Sequence, residues 1–445
     1  MTRNGAPPAS ARGSCPSTSG AWPRAGIAAP GSRTTSASTR RRLRRRTPRW
    51  SGAPSRSARG MAVPSPRRPR RARSSGSAPP EMAASVYDSR IYRALFTDAE
   101  AAKLFTDTAE IRAMLIVEGA LARAQGAAGL IPEVSAKAIH RASLEVQIDP
   151  AALAAETGES AVVVPALLRE FRAAMQAPEH AQYVHWGATS QDIMDTGLVL
   201  RLRQVIALYE ARLDAVLATL ARLAQDHAEL PMAARTYAQA ATPTSFGAVA
   251  AAWGRPLLAQ RMRLAEVKER LLVVSLSGAA GTLSAMGPQG PAIRTALAEG
   301  LGLADPGASW HAERDRIAGF SAWIAGTAAA LGKIGEDLVL LTQTGLQEVR
   351  LGQTGGSSTM PQKSNPVRPS LLSALARHAI ALDGALQGAA LHRQQRDGAA
   401  WFTEWLALPE LCLGLARGLA AADETLSTLD PDPEAMARGI DPDGL

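Results

Sequence analysis

Cysteine and aromatic side chains are scarce in this chain of 445 residues, which has two cysteines and 4% Phe, Trp and Tyr. Cys15 and Cys412 are far apart in sequence, so a disulfide framework and a thiolate metal site are both excluded. The sequence also lacks an uninterrupted run of 18 apolar residues and the apolar core of a signal peptide. We therefore expect a soluble, cytoplasmic protein.

The first 80 residues have no Lys, Asp or Glu, but they contain 18 Arg. Their charge is therefore +18, and subtracting it from the chain's +9 leaves −9 for the remainder. The basic character belongs to this extension alone. It does not indicate that the body of the protein binds nucleic acid.

Residues 1–84 are rich in Pro, Ser, Gly and Arg, which predicts a disordered extension. The segment TRRRLRRRTPR, from Thr39 to Arg49, fits a nuclear or nucleic-acid-binding patch, and an acid-free, Arg-rich start resembles a transit peptide. Frequent proline argues against the amphipathic helix of a transit peptide. The absence of Lys favours a third interpretation, a translated GC-rich upstream region with Met82 as the native start.

Beyond the extension, helical patterns dominate. Asp107 and Glu110 can cap a helix that Gly126, Gly129 and Pro132 end. Leu198 to Leu230 contains no Gly or Pro and has an apolar stripe, so it predicts a helix about 50 Å long. Further helices are predicted within the Pro-free run from 307 to 360 and from 369 to 390.

No segment shows sustained alternation of apolar and polar residues, so the predicted fold class is all-α. Helices this long predict an extended bundle whose apolar faces need covering, by other subunits if not by the chain itself. We divide the body into an N-terminal helical domain over 85–195, a central long-helix bundle over 196–428 and the start of a C-terminal domain over 429–445.

The most informative segment is LGQTGGSSTMPQKSNPVRP, which begins at Leu351. Gly355 and Gly356 allow unusual backbone angles, so successive N–H groups can converge on an anion. A serine pair, Lys363 and Asn365 add hydroxyl, cationic and amide groups. Such a loop can hold a carboxylate and move a proton beside it. The alternative is a flexible linker between helices.

Three segments resemble the fumarase/aspartase superfamily in sequence and in order. They are HWGATSQDIMDT from His185, RTYAQAATPTSFG from Arg235 and GSSTMPQKSNP from Gly356. A fourth segment, WHAERDRIAGF from Trp310, is similar to one branch of that superfamily. The resemblance spans Ser85 to the C-terminus. Within the superfamily, the chain is most similar to the bacterial cycloisomerases of 3-carboxymuconate, which belong to protocatechuate catabolism.

The resemblance implies an all-α subunit of three domains whose central helices form the core of a homotetramer. Each active site would combine three subunits and bind a small tricarboxylate. No cofactor, metal, nucleic acid or membrane is implied. The family's C-terminal domain would continue beyond Leu445, so the resemblance also implies a truncated chain.

The resemblance assigns a role to each site residue. Ser357 would transfer the proton, Lys363 would favour its alkoxide, and Lys363 and Asn365 would bind substrate carboxylate. Neutral hydrogen bonds would come from Thr189, Ser190, Gln239 and Ser358. Arg235, Arg314 and Arg316 are candidate carboxylate forks. Thr189 and Ser190 have an alternative role in capping the helix that follows them. The three arginines have an alternative role in salt bridges within the protein.

At two positions the sequence differs from the superfamily pattern, and both differences bear on which reaction of the superfamily the protein catalyses. Tyr237 stands where fumarases and several lyases have a histidine, and Ser160 stands where adenylosuccinate lyases have another. Both suit a cycloisomerase, because a carboxylate of the substrate itself is the nucleophile. His185, Tyr237 and His311 are left as candidate acids or bases, or as packed side chains. An adenylosuccinate-lyase-like enzyme and an inactive structural paralogue are the open alternatives.

Overall fold

The computed structural model describes residues 85–440. The predictions for the extension 1–84 and for residues 441–445 lie outside this range. The N-terminal helices are α1 (Arg93–Phe96), α2 (Ala99–Lys103), α3 (Asp107–Ala127), α4 (Glu133–Glu145), α5 (Ala154–Ser160), α6 (Val164–Met175) and α7 (Pro178–Ala181). The later helices are α8 (Ser190–Asp226), α9 (Phe246–Leu271), α10 (Gly290–Leu301), α11 (Asp315–Leu341), α12 (Val367–Ala389), α13 (Gly398–Leu426) and α14 (Pro433–Arg438).

The helical fold predicted from sequence is confirmed. α8 has 37 residues and, at 1.5 Å per residue, is about 55 Å long. Its predicted stripe packs inward, since Leu213, Val216, Leu220 and Leu223 are all buried. The helix expected before Gly129 is also present, although Thr106 rather than Asp107 is its N-cap.

The described residues form two hydrophobic cores. The larger core lies among α8, α9, α11, α12 and α13. The smaller core lies among α3, α4 and α6, and it also includes Ile293, Leu297 and Leu301 of α10. Residues that we placed in the central bundle therefore pack on the N-terminal helices, and sequence order alone does not separate the two cores.

The described chain is mostly helical, but it also contains two short antiparallel strand pairs that the sequence did not predict. β1 (Pro231–Thr236) and β2 (Gln239–Ser245) form an antiparallel hairpin directly after α8. β3 (Val349–Arg350) and β4 (Asp430–Pro431) form a shorter antiparallel pair. The hairpin was not predictable from alternation, because β2 is exposed along most of its length. Backbone hydrogen bonds join β2 to β1, in which Met232 and Ala233 are buried.

Two helices of the described chain, α11 and α13, are long and apolar enough to cross a membrane by length and composition. About two thirds or more of each apolar window is buried inside the protein, 67% in α11 and 72% in α13. Both helices lie in the larger core, so their apolar composition is accounted for by packing.

Candidate active site

Asp192, on the first turn of α8, organises the segment that carries Thr189. Its Oδ2 accepts hydrogen bonds from the backbone N–H of Thr189 at 2.9 Å and of Gly278 at 3.0 Å. Its Oδ1 accepts one from the N–H of Ser277 at 2.8 Å. Asp192 is fully buried, so these charge-assisted bonds hold the start of α8 against the 277–278 loop. Thr189 is the N-cap, and Ser190 is the first helical residue.

His311 packs against the same carboxylate. Its Nε2 lies 2.8 Å from Asp192 Oδ1, and its backbone carbonyl accepts a hydrogen bond from Gln191 Nε2 at 2.9 Å. The residue is only 2% exposed. This geometry favours the packed interpretation of His311 over that of an acid in contact with substrate.

Arg396 also contacts the start of α8, and the sequence did not predict it as a site residue. The residue lies in the loop before α13, where its Nε donates to Gln191 Oε1 at 2.8 Å. Its second guanidinium nitrogen lies 3.4 Å from Thr189 Oγ1. Arg396 is exposed, so it brings a solvent-accessible positive charge to a polar helix start. We call Thr189, Gln191, Asp192, His311 and Arg396 the Thr189 cluster.

His185 lies four residues before the helix cap and forms a close pair with a buried acid. Its Nδ1 is 2.6 Å from Oε1 of Glu118, which is 1% exposed. The His185 backbone has φ of 68°, in the left-handed region. Burial by itself lowers the pKa of His185, but the nearby Glu118 and Asp192 carboxylates outweigh it and raise that pKa. The imidazole is therefore biased toward its charged form.

Arg314 does not face an open site in this chain. Its guanidinium forms two hydrogen bonds to Asp195, at 2.7 and 3.1 Å, and two to Glu404, at 2.8 and 2.5 Å. It is 1% exposed and lies 4.7 Å from the centre of the Trp310 ring. For this residue the salt-bridge alternative fits better than substrate binding, because its donors are already engaged.

Arg235 and Arg316 are also engaged within the chain. Arg235 forms a bidentate pair with Glu348, with two N–O distances of 2.7 Å. Arg316 donates to the backbone carbonyl of Arg270 at 2.6 Å. The Arg235 pair has the planar fork geometry that we expected for a substrate carboxylate, but a protein carboxylate occupies it.

The loop that carries Ser357 connects β3 to α12. Its base is closed by Gly355 and Asn365, whose backbone N–H groups each donate to the other's carbonyl, at 2.9 and 2.8 Å. Ser357 Oγ accepts hydrogen bonds from the N–H of Met360 at 3.1 Å and of Thr359 at 3.4 Å. Backbone N–H groups that converge on this oxygen would stabilise an alkoxide.

Gly355 and Gly356 do not adopt the unusual backbone angles that we predicted for them. The φ angles of Gly355 and Gly356 are not positive, so neither glycine supplies a left-handed turn. Gly355 is instead required by space, because a Cβ there would lie 2.5 Å from Val367 Cγ2. Glycine allows the two sides of the loop base to approach, and the convergence of N–H groups comes from the turn at 357–360.

The remaining loop residues are accessible. Ser358 and Lys363 are exposed, and the Lys363 backbone N–H donates to the Met360 carbonyl at 3.0 Å. Asn365 is half-buried beside the loop base. Within the described chain, none of these side chains forms an ion pair or a hydrogen bond that would withhold it from a ligand.

The hairpin presents Tyr237 and Gln239 to solvent. Tyr237 is fully exposed at the tip, and both Tyr237 and Ala238 have positive φ, 51° and 60°. Two non-glycine residues in the left-handed region are uncommon. The tip therefore projects an aromatic side chain that no other residue between 85 and 440 covers.

The predicted site residues lie at opposite ends of the bundle. The Thr189 cluster includes Arg396, just before α13, whereas Gly352 in the Ser357 loop packs against Thr428, just after α13. The 29 residues of α13 span about 42 Å. The hairpin lies at the Ser357 end, where Arg235 pairs with Glu348 next to β3. One chain therefore does not bring all the predicted residues together.

A sequence profile described as lyase matches residues 89–380 of this chain, about two thirds of its length. The chain belongs to the fumarase/aspartase superfamily. This confirms the resemblance carried by the Thr189 and Ser357 segments, and the superfamily accounts for the long-helix bundle. The roles of the individual site residues stay predictions.

The most informative relatives agree on one branch of the superfamily. The chain is 41% identical over 358 residues to the 3-carboxy-cis,cis-muconate cycloisomerase of Pseudomonas aeruginosa, covering 79% of this chain and 78% of the relative. It is similar to the crystal structure of the 3-carboxy-cis,cis-muconate lactonizing enzyme from Pseudomonas putida, with a TM-score of 0.77, 37% identity and 80% of each chain covered.

A third relative is named as a lyase rather than as a cycloisomerase. The nitrosuccinate lyase of Streptomyces davaonensis is 39% identical over 376 residues, covering 81% of this chain and 79% of the relative. The superfamily therefore includes close relatives of two reaction types, and a functional test has to distinguish between them.

Proposed function

We propose that this protein is a 3-carboxy-cis,cis-muconate cycloisomerase, which forms a carboxymuconolactone in the catabolism of protocatechuate. The observation that carries the proposal is the 41% identity over four fifths of the chain to an enzyme of that name, together with the 37% identity and shared fold of a lactonizing enzyme. The absence of a histidine at Tyr237 supports it, since this reaction needs no activated external nucleophile.

The reaction is an intramolecular addition. One carboxylate oxygen of the substrate forms a C–O bond to a carbon of the conjugated double bond. The electron pair of that double bond moves onto the neighbouring carbon, beside another carboxylate, and gives an aci-carboxylate. That carbon then takes up one proton. The trianion thus becomes a lactone dianion, and no leaving group departs.

Ser357 is the residue that we assign to this proton transfer. The N–H groups of Thr359 and Met360 lie within 3.4 Å of its Oγ and stabilise the alkoxide left after the proton is donated. Lys363 adds a positive charge within the same exposed loop. Solvent returns the proton to Ser357 after each turnover.

Substrate carboxylates need cations and neutral donors in a fixed arrangement. Arg396 and Thr189 offer these groups at one end of the bundle, and Lys363 and Asn365 offer them at the other. We assign all four to substrate binding, with Ser190, Gln239 and Ser358 as further neutral donors. Arg396 is added to the predicted set because its guanidinium is accessible and lies beside the helix cap.

We also propose a homotetramer with sites shared between subunits, and this arrangement supports it. The two ends of α13 are about 42 Å apart, far beyond the size of a tricarboxylate. A second chain placed alongside in the opposite direction would bring the Ser357 loop to the Thr189 cluster. The projecting Tyr237 hairpin is suited to packing against such a neighbour. The assembly is proposed to be cytoplasmic and to need no cofactor.

An absorbance assay tests the proposed function. Lactone formation breaks the conjugated diene, so the purified protein should remove the ultraviolet absorbance of 3-carboxy-cis,cis-muconate and take up one proton per turnover. Adenylosuccinate and nitrosuccinate serve as comparison substrates. Turnover of either one, with 3-carboxy-cis,cis-muconate left unchanged, would replace the cycloisomerase assignment with a lyase.

A further inference from the structure

Glu118 is a buried acid that the proposed mechanism does not use. It lies on α3 and is 1% exposed. Its Oε1 is bonded to His185 Nδ1 at 2.6 Å, and its Oε2 is buried with no hydrogen-bond partner in the described part of the chain. An isolated carboxylate is costly in such a place. A positively charged imidazole is the group at hand that can offset this cost.

The backbone around His185 holds the imidazole in one position. His185 has φ of 68° and Gly187 has φ of 70°, so the turn before α8 is tight. Gln125 Nε2 donates to the carbonyl of Trp186 at 2.6 Å and ties this turn to α3. The ring is therefore fixed at both its backbone and its Nδ1, and Nε2 is the nitrogen left for a ligand.

The charged groups around His185 come from three helices. Glu118 of α3 and Asp192 of α8 raise the pKa of His185, whereas burial and Arg172 of α6 lower it, and the net direction is upward. Arg172 is itself bonded to the carbonyl of Val184, at 2.9 Å. Among these groups Glu118 is the one in direct contact with the ring. Removing its charge should therefore change the charge state of His185 most.

We propose that Glu118 is a positioning residue that keeps His185 as an imidazolium and directs its Nε2–H to a substrate carboxylate bound at the Thr189 cluster. The turn that carries His185 leads directly into the Thr189 cap, with the Ala188 N–H bonded to the His185 carbonyl at 3.3 Å. The proposal rests on the proposed function, because it specifies how that site binds a tricarboxylate. Glu118 itself does not touch the substrate.

Nuclear magnetic resonance of the histidine rings tests the charge state directly. The chain has seven histidines, and a His185→Gln variant identifies the His185 signal. Glu118→Gln keeps the shape of the side chain and removes its charge, so the pKa of His185 should fall by about one unit or more. Glu110→Gln is the matched control, since Glu110 lies on the same helix and pairs with Arg201 instead.

Kinetics and ligand binding test the role. Above the new pKa of His185, Glu118→Gln should raise KM about tenfold or more with a smaller change in kcat. The alkaline limb of kcat/KM should move to lower pH by the same amount as the ring pKa. Tricarballylate, an unreactive tricarboxylate, should show the same pH-dependent weakening by calorimetry. The Glu110→Gln control should leave all three measurements unchanged.

Several results would overturn the inference. An unchanged His185 titration in Glu118→Gln would do so, as would a shifted titration with unchanged KM and tricarballylate binding. If Glu118→Gln does not fold, the wild-type titration decides, because a His185 pKa at or below about 6.5 contradicts an imidazolium. Absent cycloisomerase activity in the wild type refutes the proposed function alone, since ring titration and tricarballylate binding can still be measured.

Discussion

Arg396 Nε lies 2.8 Å from Gln191 Oε1, although 205 residues separate them in the chain. This contact connects the loop before α13 to the first turn of α8. It places an exposed guanidinium beside the Thr189 cap, where a carboxylate would meet both a cation and the positive end of a long helix. The Thr189 segment is thereby completed by a residue from a distant part of the chain.

Ser357→Ala should lower kcat by about a hundredfold or more, because it removes the proposed proton carrier from the loop. The change deletes one hydroxyl from a surface loop, so helix content and assembly should not change. Turnover of 3-carboxy-cis,cis-muconate by absorbance measures the effect, alongside circular dichroism and light scattering.

Ser358→Ala is the matched control for this loss. Its hydroxyl is exposed on the same loop, and we assign it to binding rather than to proton transfer. The larger effect should therefore fall on Ser357. Equal turnover in wild type and Ser357→Ala would move the proton-transfer role to another group, with His185 and Tyr237 the next to test.

Mixing two inactive variants should restore activity if the site is shared between chains. Arg396→Ala and Ser357→Ala change residues near opposite ends of α13, which is about 42 Å long. When the two variants are unfolded together and reassembled, some sites should receive an intact Arg396 from one chain and an intact Ser357 from another. We expect recovery of up to about a quarter of the wild-type rate, the share of such sites under random mixing.

Each variant refolded by itself provides the control for this experiment and should stay inactive. A monomer in light scattering that nevertheless turns over substrate would contradict the shared site. So would a properly mixed assembly that gains no activity over its two parents.

Arg314→Met should destabilise the fold by about 3–5 kcal/mol, because it leaves Asp195 and Glu404 buried without their common partner. Thermal unfolding measures the loss. Burial already raises the pKa of Glu404, and the Arg314 charge that opposes this rise disappears in the variant. The folded variant then binds protons more readily than its unfolded chain, so its stability deficit should shrink as the pH falls from 8 to 5.

Arg316→Met is the stability control, since Arg316 donates to a single backbone carbonyl and pairs with no acid in the described chain. Its cost should be about 1 kcal/mol or less. A similar cost for the two variants, or a deficit in Arg314→Met that does not vary with pH, would show that the buried ion pairs are not what Arg314 contributes.

Local patterns were sufficient to predict the helical fold, but they missed the hairpin. The stretch 198–230, without Gly or Pro, predicted α8 apart from its first eight residues, and the helical segment after Pro369 predicted α12 to within two residues at each end. The hairpin after α8 was missed because alternation appears only where one face of a strand is buried, and β2 is mostly exposed. Its stability comes from the bonds to β1.

Some residues of the candidate site could likewise be predicted from the sequence, and others could not. The Ser357 loop could be recognised because its hydroxyl, cationic and amide groups lie within eleven consecutive residues. Arg396 and Glu118 could not be recognised, because the role of each depends on a contact with a distant residue. Arg396 contacts Gln191, 205 residues away, and Glu118 contacts His185, 67 residues away. Arg314 was recognised as a fork for carboxylates, but sequence could not tell that Asp195 and Glu404 would occupy it.

The sequence by itself determined the helical class, the apolar faces and the composition of the Ser357 loop, because these depend on propensity and spacing over a few turns of chain. Tertiary structure alone decided which charges are neutralised inside the protein and which stay exposed to solvent. It did so because burial and pairing depend on which distant helices pack together. For the same reason, only the folded chain shows that the Thr189 cluster and the Ser357 loop lie near opposite ends of α13, a helix about 42 Å long.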